Sequence, residues 1–259
     1  MGKLQTLISV LRTFGLMELF WLLFRKLRQS QTSIKYYPPK QSQTLDEIDL
    51  KISLLIGCPL AELKSARSDF IKDTKPASTL SQTRQSFFGS EFDLGENASY
   101  VLFILCRTLK MSLILETGVA AGQSSDMILQ ALSLNEAGHL YSIDITNQVG
   151  ELIREEHKSR WTLKVLPKFF RRQALLEIVE GLGDIDLFVH DSDHSASWQK
   201  VELSSVMNRL HPPRLLLFDD VSDLVIREFE LRYPNFEMFF VYEKFKRAAL
   251  FVRRNNDCN

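Results

Sequence analysis

The sequence has few cysteines, no excess charge of either sign and no long apolar run. Its three cysteines are widely spaced, which argues against a disulfide-stapled secreted fold and against a cysteine-rich metal site. Lys+Arg and Asp+Glu both number 32, so the zero net charge gives no indication of a nucleic-acid partner. A chain of 259 residues, 45% of them apolar, suits one sizeable α/β domain, and we expect it to be cytoplasmic.

The N-terminal segment, residues 1–45, differs from the rest of the chain. Its first 36 residues hold six basic side chains and one acid, Glu18, around the apolar run FGLMELFWLLF. Arg12 and Arg25 flank this run, which is shorter than the roughly 20 apolar residues that a membrane-spanning helix needs. We therefore predict a basic amphipathic helical arm followed by an extended linker.

Two roles for this arm remain open. The helix can pack on the body of the protein or on a second subunit. Packing on a second subunit would make the protein a homo-oligomer. Alternatively, it can lie at the inner membrane surface, with Phe20, Trp21 and Phe24 at the lipid boundary and basic side chains near anionic headgroups. The second role would make the protein a peripheral membrane protein.

The remaining residues, 46–259, show alternating strand and helix patterns. Short apolar runs such as SLILET and IDLFVHD alternate with segments of helical periodicity, which is typical of a parallel sheet covered on both faces. The last two strand patterns, FEMFFVYE and RAALFVRR, are separated only by KFK, so they must form an antiparallel hairpin. We predict a Rossmann-like, doubly wound, mostly parallel seven-stranded sheet that ends in this hairpin.

Local signals also predict where several helices begin. Pro59 is suited to the first turn of the helix in CPLAELKSARSDF, and Pro167 to that of the helix in PKFFRRQALLEIVEGLG. Asn97 is a candidate cap for the helix in ENASYVLFILCRTLK.

The segment LETGVAAGQSS, residues 115–125, places glycines between a predicted strand and a helix. Gly118 and Gly122 let the chain turn tightly and let a ligand approach the backbone. The turn lies at the carboxyl end of its strand, where open α/β sheets bind ligands, and Ser124 lies among the first N–H groups of the helix. Asp144 closes the next strand about 20 residues later, a spacing suited to binding ribose hydroxyls.

This segment resembles motif I of the class I S-adenosylmethionine-dependent methyltransferases, whose pattern is acid-x-Gly-x-Gly-x-Gly. Glu116 falls on the acid, and Ala120 replaces the middle glycine. A carboxylate at this position suits a cationic ligand and disfavours the diphosphate of a nicotinamide cofactor. Alternatively, Glu116 and Asp144 could do no more than cap turns. The resemblance implies that S-adenosylmethionine is bound by Glu116, Gly118, Gly122, Ser124 and Asp144.

A second polar group, HDSDH at 190–194, follows a predicted strand, and two aspartates at 219–220 end the next. Together these segments resemble the I-D-G-D-H … D-D pattern of metal-dependent O-methyltransferases that act on small molecules and sugars. The resemblance covers roughly residues 85–253. It implies a Mg²⁺ ion held by Asp191, Asp219 and Asp220, with Asp191 also in the cofactor site and with Asp193 or His194 as the catalytic base.

Electrostatics supports a cation at this edge of the sheet. The carboxyl ends of adjacent parallel strands lie about 4.8 Å apart, so the carboxylates of Asp191, Asp219 and Asp220 are expected to converge. Three carboxylates so close together repel one another unless a cation lies among them, and their hard oxygens suit Mg²⁺. A hydroxyl bound to such an ion loses its proton more readily.

Most of these residues also have a purely structural interpretation. Asp220 could cap the helix in VSDLVIREFE, and Asp193 or Ser195 could cap the helix in SASWQKVEL. His190 lies on the face opposite Asp191 and is expected to be a packed or hydrogen-bonded core histidine.

These motifs predict transfer of a methyl group from S-adenosylmethionine to a hydroxyl of a small molecule, with Mg²⁺ assisting and a sugar as one candidate acceptor. Two other classes remain open. One is a catalytically silent domain that serves as a binding or scaffolding partner, and the other is a nicotinamide-dependent oxidoreductase.

Overall fold

A computed structural model of the protein describes residues 42–73, 88, 93–243 and 246–253. The predicted N-terminal arm lies almost wholly outside these residues, so the division at residues 45 and 46 stays a prediction. Among the residues described, no helix is both long and apolar enough to cross a membrane.

The described residues contain seven α-helices, seven strands and one short 3-10 helix. The helices are α1 (Leu45–Ile56), α2 (Leu60–Asp73), α3 (Glu96–Leu109), α4 (Gln123–Leu134), α5 (Arg171–Glu180), α6 (Ala196–Val206) and α7 (Asp223–Arg232). The strands are β1 (Leu113–Thr117), β2 (His139–Asp144), β3 (Trp161–Val165), β4 (Ile185–His190), β5 (Leu210–Asp219), β6 (Phe236–Glu243) and β7 (Lys246–Arg253). The 3-10 helix, Glu155–Arg160, directly precedes β3.

All seven strands form one sheet in the order β3-β2-β1-β4-β5-β7-β6. Strands β1 to β5 are parallel, whereas β7 runs antiparallel to both β5 and β6. The predicted Rossmann-like sheet with a terminal hairpin is therefore confirmed. The strand order reverses between β1 and β4, and in open α/β sheets the crevice for ligands lies at the carboxyl ends of the strands at this switch point.

The sheet is covered on both faces, which explains its continuous apolar strands. One buried cluster packs α1 to α4 against side chains such as Ile114 and Leu187. The other packs α5 to α7 against the alternate residues of the same strands, such as Leu115 and Phe188. Because both faces of the central strands are buried, polar side chains reach solvent mainly at the strand ends.

Two of the predicted helix starts are corrected by the structure. Helix α3 begins at Glu96 with Gly95 as its N-cap, so Asn97 lies inside the first turn. Its amide group donates hydrogen bonds to the carbonyls of Gln43 and Tyr242, both at 3.0 Å, which ties the start of α1 to β6. The propensity of asparagine for helix caps predicts Asn97 as the cap, but this long-range contact determines its position.

Helix α5 begins later than Pro167, at Arg171. The residue before it, Phe170, has a φ of 60° and turns the chain into the helix through the left-handed region. Helix α2 begins at Leu60, and the carbonyl of Pro59 accepts the N–H of Glu62 at 3.0 Å, so that prediction was correct to within one residue.

Candidate active site

The first part of the site is the glycine loop, residues 118–122, between β1 and α4. Gly118 has a φ of 84°, and a Cβ built there would lie 2.1 Å from the carbonyl oxygen of Asp191. Gly122 has a φ of 90°, and its Cβ would lie 2.8 Å from Cγ1 of Ile153. Both glycines are therefore required by backbone conformation and by close packing. Ala120, in place of the middle glycine, adopts a φ of 47°.

Glu116 lies beneath the glycine loop and is fully buried. Its carboxylate accepts hydrogen bonds from the hydroxyls of Ser124 at 2.7 Å, Ser125 at 2.5 Å and Ser142 at 2.8 Å. Burial raises the pKa of Glu116, and the three hydroxyl donors oppose that rise. The structure thus brings the predicted cofactor residues Glu116 and Ser124 together, in a network that holds α4 against β1 and β2.

Asp144 lies beside the glycine loop at the end of β2, as predicted. Its Oδ2 accepts the N–H of Val119 at 2.9 Å, and its Oδ1 accepts the N–H groups of Ile145 at 2.6 Å and Thr146 at 3.3 Å. Burial raises the pKa of Asp144, and these backbone donors lower it in part. One carboxylate therefore fixes both the glycine loop and the turn after β2.

The second part of the site is the metal loop, residues 191–195, between β4 and α6. Ligand atoms of Asp191 and His194 in this loop, and of Asp219 at the end of β5, all lie within 4.8 Å of one another. Nε2 of His194 is buried and has no hydrogen-bond partner among the described residues. Two carboxylates and an imidazole fit a divalent cation, because carboxylates suit Mg²⁺ and Mn²⁺ and imidazole suits transition metals.

Asp220 is not part of this cluster, so the structure brings together two of the three aspartates that were expected to converge. Its side chain is 54% exposed, and its Oδ2 lies 3.7 Å from Nδ1 of His194. Its φ is 44°, and its N–H donates to the carbonyl of Arg247 at 3.0 Å. Asp219 is therefore buried, whereas the next residue, Asp220, is exposed. His194 is the third member of the cluster.

The structure also decides which residues cap the neighbouring helices. Ser222 caps α7, because its hydroxyl accepts the N–H of Val225 at 3.2 Å, so Asp220 is not that cap. Ser195 caps α6. Oδ1 of Asp193 accepts the N–H of Ser195 at 2.8 Å, which fixes the start of the helix.

Of the two predicted bases, His194 lies in the cluster and Asp193 lies in the turn beside it. Nε2 of His194 is 3.6 Å from Oδ1 of Asp191. The imidazole therefore lies between the carboxylates of Asp191 and Asp220.

His190 and Glu202 form a buried pair behind the metal loop, and only His190 was predicted to be buried. His190 is fully buried, as expected for a core histidine, and its Nδ1 lies 2.5 Å from Oε2 of Glu202. Glu202 was missed, because a lone acid on an amphipathic helix normally faces solvent. The available signal was its position one helical turn after Trp198, whose indole N–H donates to Glu202 at 2.5 Å.

Comparisons with known proteins agree with this geometry. Residues 115–221, which include both loops, match a protein family described as "Methyltransferase domain". This match supports the predicted methyltransferase family for this part of the chain. A search of curated proteins found no match.

Several solved structures are similar to this chain. A protein assigned as a caffeoyl-CoA O-methyltransferase, from Staphylococcus aureus, aligns with a TM-score of 0.51 and 14% identity over 75% of this chain and 100% of that one. A methyltransferase from Geobacter sulfurreducens aligns with a TM-score of 0.50 and 17% identity over 74% and 96%. The O-methyltransferase TomG from Streptomyces achromogenes, solved with S-adenosylmethionine, aligns with a TM-score of 0.48 and 15% identity over 81% and 96%.

Proposed function

We propose that the protein transfers a methyl group from S-adenosylmethionine to a hydroxyl group of a small molecule, assisted by a divalent cation. The observation that carries this proposal is the contact between the two loops. The N–H of Asp191 donates to the carbonyl of Thr117 at 2.8 Å, next to the close approach of Gly118 to the same residue. A donor over the glycine loop and a cation at Asp191 would therefore be neighbours.

The glycine loop supports S-adenosylmethionine as the methyl donor. It lies within residues 115–221, which match the methyltransferase family, and it follows β1 at the switch point of the sheet, where open α/β sheets bind ligands. The carboxylates of Glu116 and Asp144 lie under and beside the loop, which favours a sulfonium cation and disfavours a diphosphate. The same charge argument disfavours a nicotinamide cofactor.

Asp191, His194 and Asp219 are the residues that would hold the cation. When bound, a divalent cation would lower the pKa of the acceptor hydroxyl. With Nε2 of His194 directed at the cluster, Asp193 is the residue that we assign to accept the proton from that hydroxyl. Asp193 is held for this role by its hydrogen bond with the N–H of Ser195.

A sugar is one candidate acceptor, because two adjacent hydroxyls can bind to one cation. The test is transfer of an isotopically labelled methyl group from S-adenosylmethionine to a panel of sugars and catechols, with Mn²⁺ or Mg²⁺ and with EDTA. We expect labelled product that is lost with EDTA and in Asp191→Asn. Labelled product that persists with EDTA would contradict the role of the cation.

For the N-terminal arm, we propose peripheral membrane contact or packing on a second subunit. Co-sedimentation with anionic liposomes separates the two. If residues 1–30 mediate membrane contact, their deletion abolishes liposome binding. If they pack on a second subunit, deletion changes the oligomeric state in ultracentrifugation and leaves liposome binding unchanged.

A further inference from the structure

A buried carboxylate lies directly behind the two loops. Glu202, on α6, is only 1% exposed and accepts hydrogen bonds from four side chains. Its Oε2 faces the hydroxyl of Thr117 at 2.9 Å and Nδ1 of His190 at 2.5 Å. Its Oε1 accepts from the hydroxyl of Ser192 at 2.8 Å and from the indole N–H of Trp198 at 2.5 Å. Each carboxylate oxygen therefore has two hydrogen-bonding partners.

These partners belong to both halves of the site. Thr117 immediately precedes the glycine loop, whereas His190, at the end of β4, and Ser192, in the metal loop, flank Asp191. A single carboxylate is thus bonded to the start of one loop and to both neighbours of a proposed metal ligand. Glu202 can therefore influence both loops through hydrogen bonds alone, without contacting a ligand.

Burial makes this arrangement rigid. Burying an ionised carboxylate is unfavourable unless hydrogen bonds replace its solvation. Three of the four donors, those of Thr117, His190 and Trp198, are fixed by β1, β4 and α6, so the carboxylate has one favourable orientation. The metal loop itself has no regular secondary structure between β4 and α6, so it depends on side-chain contacts for its shape.

We infer that Glu202 is a positioning residue, which fixes the metal loop against the glycine loop so that the methyl donor and the cation occupy adjacent places. Because its side chain is buried, it would contact neither ligand. The inference rests on the proposed function, because only methyl transfer requires the two loops to hold that relation.

The test compares three variants by hydrogen exchange with mass spectrometry. Glu202→Ala removes all four acceptor contacts, and Glu202→Gln keeps the shape and leaves one accepting oxygen. Leu203→Ala, the next residue on α6, is the matched control, because Leu203 is buried in the core and makes none of these contacts. Loss of a general core contact should raise exchange throughout the domain.

For Glu202→Ala we expect exchange in residues 190–198 to rise at least about tenfold, with the hairpin β6–β7 unchanged. Glu202→Gln should show the same pattern at smaller amplitude, and it serves as the test if Glu202→Ala does not fold. Mn²⁺ affinity, measured by calorimetry on the same samples, should fall about tenfold or more, since residues that orient metal ligands typically contribute that much. Affinity for S-adenosylhomocysteine should stay within about threefold, because Asp144 and the backbone still hold the glycine loop.

The outcomes separate this inference from the proposed function. If the folded variants exchange like the wild type at residues 190–198, or match Leu203→Ala, the positioning role is wrong. Unchanged Mn²⁺ affinity would also overturn it. If the wild type binds neither Mn²⁺ nor S-adenosylhomocysteine, the proposed function fails, and the role of Glu202 in methyl transfer fails with it.

Discussion

Gly118 and Asp191 approach so closely that no side chain fits between them. A Cβ at residue 118 would lie 2.1 Å from the carbonyl oxygen of Asp191, although the two residues belong to different loops. The loops follow β1 and β4, which are neighbours where the strand order reverses. The candidate cofactor and metal sites therefore form one surface.

Gly118→Ala should destabilise the fold far more than alanine at another left-handed glycine. Gly57 has a φ of 69°, but nothing lies within 4 Å of its added Cβ. We expect Gly57→Ala to cost about 1 kcal/mol from backbone strain alone. Gly118→Ala should cost more than about 3 kcal/mol, because strain and overlap add. Urea unfolding measures both, and equal losses would show that the loops are not in contact.

Asp144→Ala should weaken binding of S-adenosylhomocysteine by about tenfold or more, because a charged acceptor that holds the glycine loop is lost. Asp186→Ala is the matched control. Asp186 accepts the N–H groups of Ser112 at 2.6 Å and Leu113 at 2.9 Å, at the opposite end of β1. Calorimetry on both variants gives the comparison. Equal weakening would mean that strand-end stability, and not the position of Asp144, determines the affinity.

The cation site should depend on three residues and much less on Asp220. We expect Asp191→Asn, Asp219→Asn and His194→Ala each to weaken Mn²⁺ binding by about tenfold or more, and Asp220→Asn by less than tenfold. Electron paramagnetic resonance of free Mn²⁺ measures the affinities. A loss in Asp220→Asn as large as that in Asp219→Asn would instead support the site of three aspartates.

The free energy of unfolding of the wild type, relative to that of Glu116→Gln, should increase as the pH falls. Burial raises the pKa of Glu116 above that of the unfolded chain. Its contribution to the free energy of unfolding is therefore fully present below the unfolded pKa and is lost as the pH rises through the folded pKa. Urea unfolding of both proteins between about pH 8 and about pH 5 should show the wild type gaining relative to the variant. A gain in the opposite direction would mean that the three serines outweigh burial.

Much of the fold could be predicted, because burial on both faces gives the strands of a parallel sheet their continuous apolar runs. The glycine loop was predictable for a similar reason, since Gly118 and Gly122 adopt backbone conformations that other residues rarely take. The strand order of the sheet, and not the order along the chain, makes β1 and β4 neighbours.

The finer parts of the site depend on three-dimensional contacts. Asp219 and Asp220 are identical in type, but Asp219 is buried at the end of β5 and Asp220 is exposed in the left-handed turn after it. Helix α5 begins after Pro167 because Phe170 makes the turn, which a proline rule does not include. Glu202 lies far along the chain from Thr117, so nothing local indicates that the two are hydrogen-bonded.

The most direct test of the account measures whether a bound cation lies beside the methyl group of the donor. The protein is loaded with S-adenosylmethionine carrying a ¹³C-labelled methyl group, and Mn²⁺ is added while the methyl resonance is followed. We predict strong paramagnetic broadening that disappears with EDTA and in Asp191→Asn. A methyl signal that shows the donor bound but stays sharp with bound Mn²⁺ would contradict the account.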